Sequence, residues 1–235
     1  MSGHIWANRL VVVVCGVLMA ASVVFAAAWS ALMPWAPAAP AALAVAPRAA
    51  HATVPEALIR DDFERDPAGA LPAGWAVAGG RWGVAADGGS RVVRHAAGAP
   101  YGHLVAGSPA WTDYRVSATL RPYTMSTGFA GVMARYRDAG DYYACGVYYG
   151  SAVRLWRVRG GTMTVLDGRR MDVPGDRFHD VRLVAAGTRL SCVFDADVVL
   201  QATDASFPAG RIGFVAGADQ AADFDDVVVD VPSTP

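Results

Sequence analysis

The sequence predicts an all-β fold, a two-sheet antiparallel sandwich preceded by an N-terminal hydrophobic helix. Three observations lead there. About a dozen short segments rich in Val, Tyr, Trp and Phe recur across residues 58–231, a composition that suits pleated, half-buried strands. Clusters of Gly, Pro, Asp and Ser separate nearly all of them, as in Asp66-Pro67-Ala68-Gly69 and Pro208-Ala209-Gly210. No amphipathic helical period appears in that range, so the strands must bury their apolar faces against one another.

Composition sets the outer bounds. With 235 residues, 54% of them hydrophobic and 17% charged, the chain can bury a core, which excludes disorder throughout. A net charge of −1 argues against nucleic acid, because tracking phosphates needs a basic excess. All twenty basic residues are Arg, and coding bias accounts for this better than selection for guanidinium groups. Glu56 and Glu64 are the only glutamates among the twenty-one acids.

Residues 10–32 carry no charge and follow Arg9, a run long enough to cross a bilayer as a helix. Residues 1–33 therefore read as a signal peptide or a membrane anchor helix. Trp6, Trp29 and Trp35 bracket the run as interfacial aromatics do, which favours an anchor. Ala26-Ala27-Ala28 and Ala50-His51-Ala52 offer small-residue cleavage sites, which keeps the signal peptide open. Either way the remainder lies outside the cytoplasm, anchored or secreted. Residues 34–57 form an Ala/Pro-rich spacer, unsuited to a packed strand or a continuous helix, or else a trimmed propeptide. The sandwich occupies 58–231, and 232–235 are a tail.

Within the sandwich, strand segments fall at 58–64, 80–85, 90–95, 102–105 and 114–122. A three-stranded meander follows at 128–161, broken at hairpin spacing by Asp138-Ala139-Gly140-Asp141 and Gly150-Ser151. Further segments lie at 163–167, 179–185, 189–194, 198–202, 210–216 and 224–231. Ala185-Ala186-Gly187-Thr188 and Asp195-Ala196-Asp197 read as hairpin turns.

Several motifs in this order resemble a known family. They are Asp61-Asp62-Phe63, Trp111-x-Asp113-Tyr114, Arg135-Tyr136 followed by Asp141-Tyr142-Tyr143, Phe178-His179-Asp180-Val181-Arg182-Leu183, Gly210-x-Ile212-Gly213-Phe214 and Asp223-Phe224-Asp225-Asp226-Val227. Together they look like the concanavalin A-like, laminin-G-like jelly rolls of secreted bacterial proteins, over 58–231. The resemblance implies that the first and last strands lie side by side and that one concave sheet holds carbohydrate. Relatives include 3-keto-disaccharide hydrolases, glucanases and lectins. The chain departs from the glucanases in lacking a Glu-x-Asp-x-Glu strand, and it has Ala196 where a hairpin Gly is common.

Strand alternation sorts the meander into two faces. Ala130, Val132, Ala134, Tyr136, Tyr143, Cys145, Val147, Tyr149, Val153 and Leu155 form the expected core face. The opposite face carries Gly131, Met133, Ala144 and Gly146 among Arg135, Tyr142, Tyr148, Arg154 and Trp156. Those last five are the candidate ligand-binding residues. Aromatic platforms suit the C–H face of a sugar, arginines donate to its hydroxyls, and glycines permit close approach. The competing reading is that the aromatics cover one another across strands.

Catalytic signals are weaker. Glycoside hydrolysis needs two carboxylates about 5–9.5 Å apart. Most of the Asp residues sit in turns, Asp113, Asp138 and Asp141 near central strand ends being the exceptions. No Gly-x-Ser-x-Gly elbow and no phosphate loop is present, and His4, His51, His95, His103 and His179 lack metal-ligand spacing. Asp61, Asp62, Asp225 and Asp226 would bring hard oxygens together if the terminal strands pair, which suits a structural calcium ion held by Asp62, Asp225 and Asp226. Alternatively they are solvent-facing charges that guard a sheet edge. Cys145 and Cys192 permit a disulfide if their Cα atoms come within about 7 Å, which facing sheets about 10 Å apart do not automatically supply.

The expected function is thus an extracytoplasmic carbohydrate-binding or adhesive module. Its partners are a polysaccharide or glycan, or a cell-envelope protein, with membrane attachment through the N-terminal segment and no nucleic acid. The alternatives are a glycoside hydrolase of the 3-keto-disaccharide hydrolase type and a structural envelope protein. Convergence of two carboxylates, or of a carboxylate and His179, beside Tyr148 and Trp156 would mark the hydrolase.

Overall fold

Strand β6 (Tyr114–Arg121) shows how this sequence builds a sandwich. Tyr114, Val116, Ala118 and Leu120 point into the core, while Arg115, Ser117, Thr119 and Arg121 point outward. The period of two is the strand period, and burying each large apolar side chain contributes about 1.5–3 kcal/mol. The same alternation recurs in β11 (His179–Ala186), with Val181, Leu183 and Ala185 inward.

The computed structural model describes residues 57–123, 128–217 and 220–232, which carry fifteen strands and no helix. The hydrophobic segment expected at 1–33 and the spacer up to residue 56 lie outside the described residues. The first sheet runs in the order β13 (Val198–Thr203), β12 (Arg189–Phe194), β11, β6, β15 (Ala222–Asp230), β4 (Ser90–His95) and β3 (Trp82–Asp87). Strand β1 (Ile59–Asp61) joins it by pairing with β15. The second sheet runs β10 (Thr162–Arg170), β9 (Ala152–Arg159), β8 (Asp141–Tyr148), β7 (Phe129–Asp138), β14 (Arg211–Ala216), β5 (Gly102–Ala106) and β2 (Ala76–Gly79). Every ladder between these strands is antiparallel.

The expected pairing of the chain ends is present, with Ile59 opposite Val229 and Asp61 opposite Val227. A bulge between Asp225 and Val228, with Asp226 at φ 52°, lets β15 pair first with β4 and then with β1. Strand β2 escapes the sequence reading because it is an edge strand of mostly exposed residues with no alternation. Both expected turns form: Gly187 at φ 54° closes β11 to β12, and Asp195 and Ala196 at φ 48° and 61° close β12 to β13. Ala196 thus holds a left-handed conformation that glycine adopts at less cost.

Between the sheets lies one continuous core that includes Phe63, Trp75, Tyr114, Tyr143, Leu155, Phe194, Phe207, Phe214 and Phe224. Cys145 of β8 and Cys192 of β12 form a disulfide across it, with Cα atoms 5.9 Å apart. Side chains also tie the margins of the two sheets together. Asp167 Oδ2 accepts from Gln201 N (2.9 Å), Tyr143 OH donates to Asp204 Oδ1 (2.6 Å) and Arg157 Nη1 donates to Asp204 Oδ2 (2.6 Å).

Candidate functional site

The outer faces of the two sheets differ in kind. On the first sheet, several outward charges pair along β15. Asp223 is fully buried beneath Arg94 Nε (2.6 Å), Arg121 Nη2 (2.5 Å) and Tyr123 OH (2.7 Å), and Arg115 pairs with Asp230 at the far end of β15. Burial opposes ionisation of Asp223, yet these donors hold its carboxyl below the usual range. A groove of about 320 Å³ on this face is lined by residues including Ser117, Thr119, Asp180, Arg182 and Asp226, and by no aromatic ring.

The outer face of the second sheet is aromatic. Val105, Phe129, Met133, Tyr136, Tyr142, Ala144, Trp156, Val158 and Val215 form a second apolar cluster there, with Tyr148 and Met163 against it. Trp156 is its floor, at 0% exposure. Gly131 and Gly146 face each other across β7 and β8, and a Cβ on Gly131 would stand 3.1 Å from Trp156 Cη2. Gly131 therefore makes room for the indole, while a Cβ on Gly146 would strike the backbone of Ala130 and Gly131. Phe129 meets Trp156 edge-on at 5.6 Å, and Tyr142 lies between His103 (5.3 Å) and Tyr136 (6.1 Å).

Two nitrogen atoms in this basin have no hydrogen-bond partner, Trp156 Nε1 and His103 Nε2. Both residues are buried, His103 with 6% exposure, and an unsatisfied buried polar atom costs about 1–3 kcal/mol. Burial pushes the Tyr142 phenol up, against a smaller opposing influence from the Trp156 N–H beside it, but that N–H makes no hydrogen bond of ordinary geometry. Burial, reinforced slightly by the charge of His95, holds the His103 imidazole down at about 4.

Around the basin runs an open rim. Tyr101 (57% exposed) packs on Phe129 at 5.7 Å, Phe129 stacks parallel to Tyr148 at 6.3 Å, and Tyr148 meets Tyr149 (48% exposed) at 4.2 Å. The Arg154 guanidinium lies 3.9 Å from the centre of the Tyr148 ring, a cation–π contact. Beyond it, a groove of about 270 Å³ runs between β9 and β10.

Of the five residues expected on this face, Tyr142, Tyr148, Arg154 and Trp156 are brought together there, Trp156 as floor beneath other rings. Arg135 is not with them. A bulge after Ala134 sets Arg135 at φ 51°, reverses the alternation and turns its side chain to the end of the sandwich. There it is 1% exposed and donates to Thr112 O (3.0 Å), Gly187 O (2.8 Å), Phe207 O (2.9 Å) and Asp113 Oδ1 (3.2 Å). The same reversal moves Tyr136 from the expected core face into the basin. Tyr149, also expected in the core, sits at a turn with φ 53° and faces solvent. Tyr101 and His103 were missed because their place depends on β5 pairing with β14, a long-range contact with no local signal, whereas Phe129 shares the parity of Gly131 and Met133 in β7 and alternation could have found it.

His179 stands at the start of β11 in the other sheet, bonded through Nδ1 to Asp195 (2.7 Å) and through Nε2 to Pro174 O (2.7 Å). No carboxylate–His179 pair is therefore assembled beside Tyr148 and Trp156. Among the described residues no three His, Cys, Asp or Glu side chains gather as a metal-ligating set. Asp62 and Asp225 each accept from a neighbouring backbone N–H through Oδ1. Asp225 is pushed up to about 6, chiefly by burial and further by the charges of Asp226, Glu64 and Asp62.

No protein-family model and no curated protein matches the chain. Solved structures do. The carbohydrate-binding module CBM66 from Bacillus subtilis superposes with a TM-score of 0.57 at 19% identity, covering 67% of this chain and 95% of that one. Domain 4 of AbnA, an extracellular arabinanase from Geobacillus stearothermophilus in complex with arabinotriose, gives 0.55 at 11% identity, over 77% and 95%. The exoplasmic/lumenal domain of VIP36 in its Ca²⁺-bound form gives 0.54 at 13% identity, over 76% and 91%. These likenesses establish the fold, a concanavalin A-like jelly-roll sandwich.

Proposed function

We propose that this chain is a carbohydrate-binding module that holds a glycan on the outer face of its seven-stranded sheet. One observation carries the reading. This face joins exposed Tyr101 and Tyr149 to half-buried Tyr148 and to Arg154 in one open aromatic rim, whereas the groove of the other outer face is lined by no aromatic ring. A sugar ring presents C–H groups that stack on tyrosine and hydroxyls that accept from a guanidinium such as that of Arg154. Two of the structures similar in fold, CBM66 and the AbnA domain with arabinotriose, are glycan binders by description, which supports the same class of ligand here. The disulfide across the sandwich supports an extracytoplasmic location, since such bonds persist in oxidising compartments.

Titration calorimetry of the full chain against a polysaccharide panel tests the proposal. Tyr149→Ala removes an exposed ring without opening the core, so affinity should fall about tenfold while Tm stays within about 2 °C. Undiminished affinity for every glycan bound would remove this face from the site.

A further inference from the structure

We propose that the glycan bound on this face is acidic, a polysaccharide whose uronate carboxylates are held by Arg154 and Arg170 with Arg169 beside them. The inference rests on the carbohydrate-binding reading and adds the charge of the ligand.

The register places these groups together. Gly168 of β10 lies opposite Arg154 of β9, and Arg170 lies opposite Ala152. Gly168 leaves the floor low enough for the Arg154 side chain to cross it, since a Cβ there would stand 3.2 Å from Arg154 Cγ. The groove of about 270 Å³ between the strands is thus lined by Arg154, Arg169 and Arg170, with Ala152, Val165 and Gly168 as its apolar part. Arg169 and Arg170 are exposed, and Arg154 is anchored by its stacking on Tyr148.

Arg94, Arg115, Arg121, Arg135, Arg157 and Arg177 each pair with an aspartate. Among the described residues, Arg154, Arg169 and Arg170 have no such ion pair. Other arginines, among them Arg137, Arg159, Arg182 and Arg189, also lack an ion pair, but here three such arginines line one groove. Of the two acids nearest in sequence, Asp167 is turned away, with Oδ1 accepting from Gly168 N and Oδ2 from Gln201 N of β13, and exposed Asp172 forms no ion pair with them. A chain of net charge −1 has therefore gathered three uncompensated guanidinium groups beside its exposed tyrosine pair. Guanidinium matches carboxylate as a two-toothed fork, a geometry that hydroxyls use less well. A sugar ring on Tyr148 and Tyr149 with its carboxylate toward Arg154 and Arg170 satisfies both halves of the site. A neutral glycan would leave the charge uncompensated.

The test is calorimetry of the full chain with polygalacturonate, alginate and hyaluronan, each beside its carboxyl-reduced neutral counterpart. At least one acidic polymer should bind tenfold or more tightly than its neutral form, with affinity falling as salt rises. Arg154→Gln and Arg170→Gln should each weaken that binding about tenfold, and Arg182→Gln, on the opposite outer face, should not. Equal binding of acidic and neutral forms would overturn the inference and leave the carbohydrate-binding reading standing. Binding of neutral glycans alone would do the same. Failure to bind any polymer of either kind would overturn both.

Discussion

At the scale of single residues, the sequence motif that opens Arg135-Tyr136 acts structurally. Arg135 gathers three backbone carbonyls and Asp113 at the end of the sandwich, and its own N–H donates to Tyr114 OH. Removing the guanidinium leaves several buried acceptors unpaired, at about 1–3 kcal/mol each for those that water cannot reach. Arg135→Ala should therefore lower stability by about 3 kcal/mol or more in denaturant unfolding, and Arg135→Lys should rescue little, because an ammonium cannot span the fork. A loss below about 1 kcal/mol would contradict the clamp. Trp156 teaches the reverse lesson. Its membership of the outer face was legible from alternation, but not that Gly131 serves its own indole and Gly146 the close approach of β7 rather than a ligand.

At the scale of elements, alternation reads a strand correctly until its backbone departs from the pleat. Residues 130–134 of β7 and 142–148 of β8 obey the expected two faces, and the bulge after Ala134 ends that agreement. Nothing in the local residues announces the bulge, since the Tyr114 hydroxyl that receives the Arg135 N–H comes from another sheet. Strands β8 and β12 are the other case. Alternation pointed Cys145 and Cys192 inward, but that they stand opposite each other with Cα atoms 5.9 Å apart depends on how the two sheets stack, which local sequence does not reveal. The cross-link closes a span of 47 residues, for which the chain-entropy model gives about 3–4 kcal/mol. Cys145→Ala/Cys192→Ala, or reduction of the native bond, should lower Tm by roughly 5–10 °C. A Tm indifferent to reductant would show that the bond does not constrain the chain.

At the scale of the whole molecule, the fold class and most strand positions were legible, because period-two burial and turn residues are local, whereas the pairing of the two ends was an expectation from the family resemblance alone. The binding basin was only half legible, because it is assembled from β5, β7, β8 and β9, which meet through sheet order alone. Its burial also sets a pH dependence. His103, held down at about 4, stays neutral when folded, whereas the unfolded chain takes up that proton near pH 6.5. Stability from this group is present above pH 6.5 and is lost as pH falls toward 4, a contribution of about 2–3 kcal/mol. His95, lowered chiefly by burial, acts in the same direction. Asp225, raised to about 6, acts oppositely: its contribution is present below its unfolded value and is lost as pH rises through 6, about 1 kcal/mol after solvent screening. The histidines outweigh it, so Tm should fall between pH 6.5 and 4, and His103→Gln should flatten that fall. A His103→Gln variant with the wild-type pH profile would contradict the assignment.

The claim on which the functional account turns is that a glycan lies against the aromatic outer face of the seven-stranded sheet. Chemical-shift mapping of the ¹⁵N-labelled protein during titration with a bound polysaccharide fragment tests it most directly. The account predicts shifts of the Trp156 indole N–H and of backbone amides in β7, β8, β9 and β10, with β11, β12 and β13 unmoved. Shifts confined to the outer face of β6, β11 and β12, with the Trp156 indole unchanged, would contradict it.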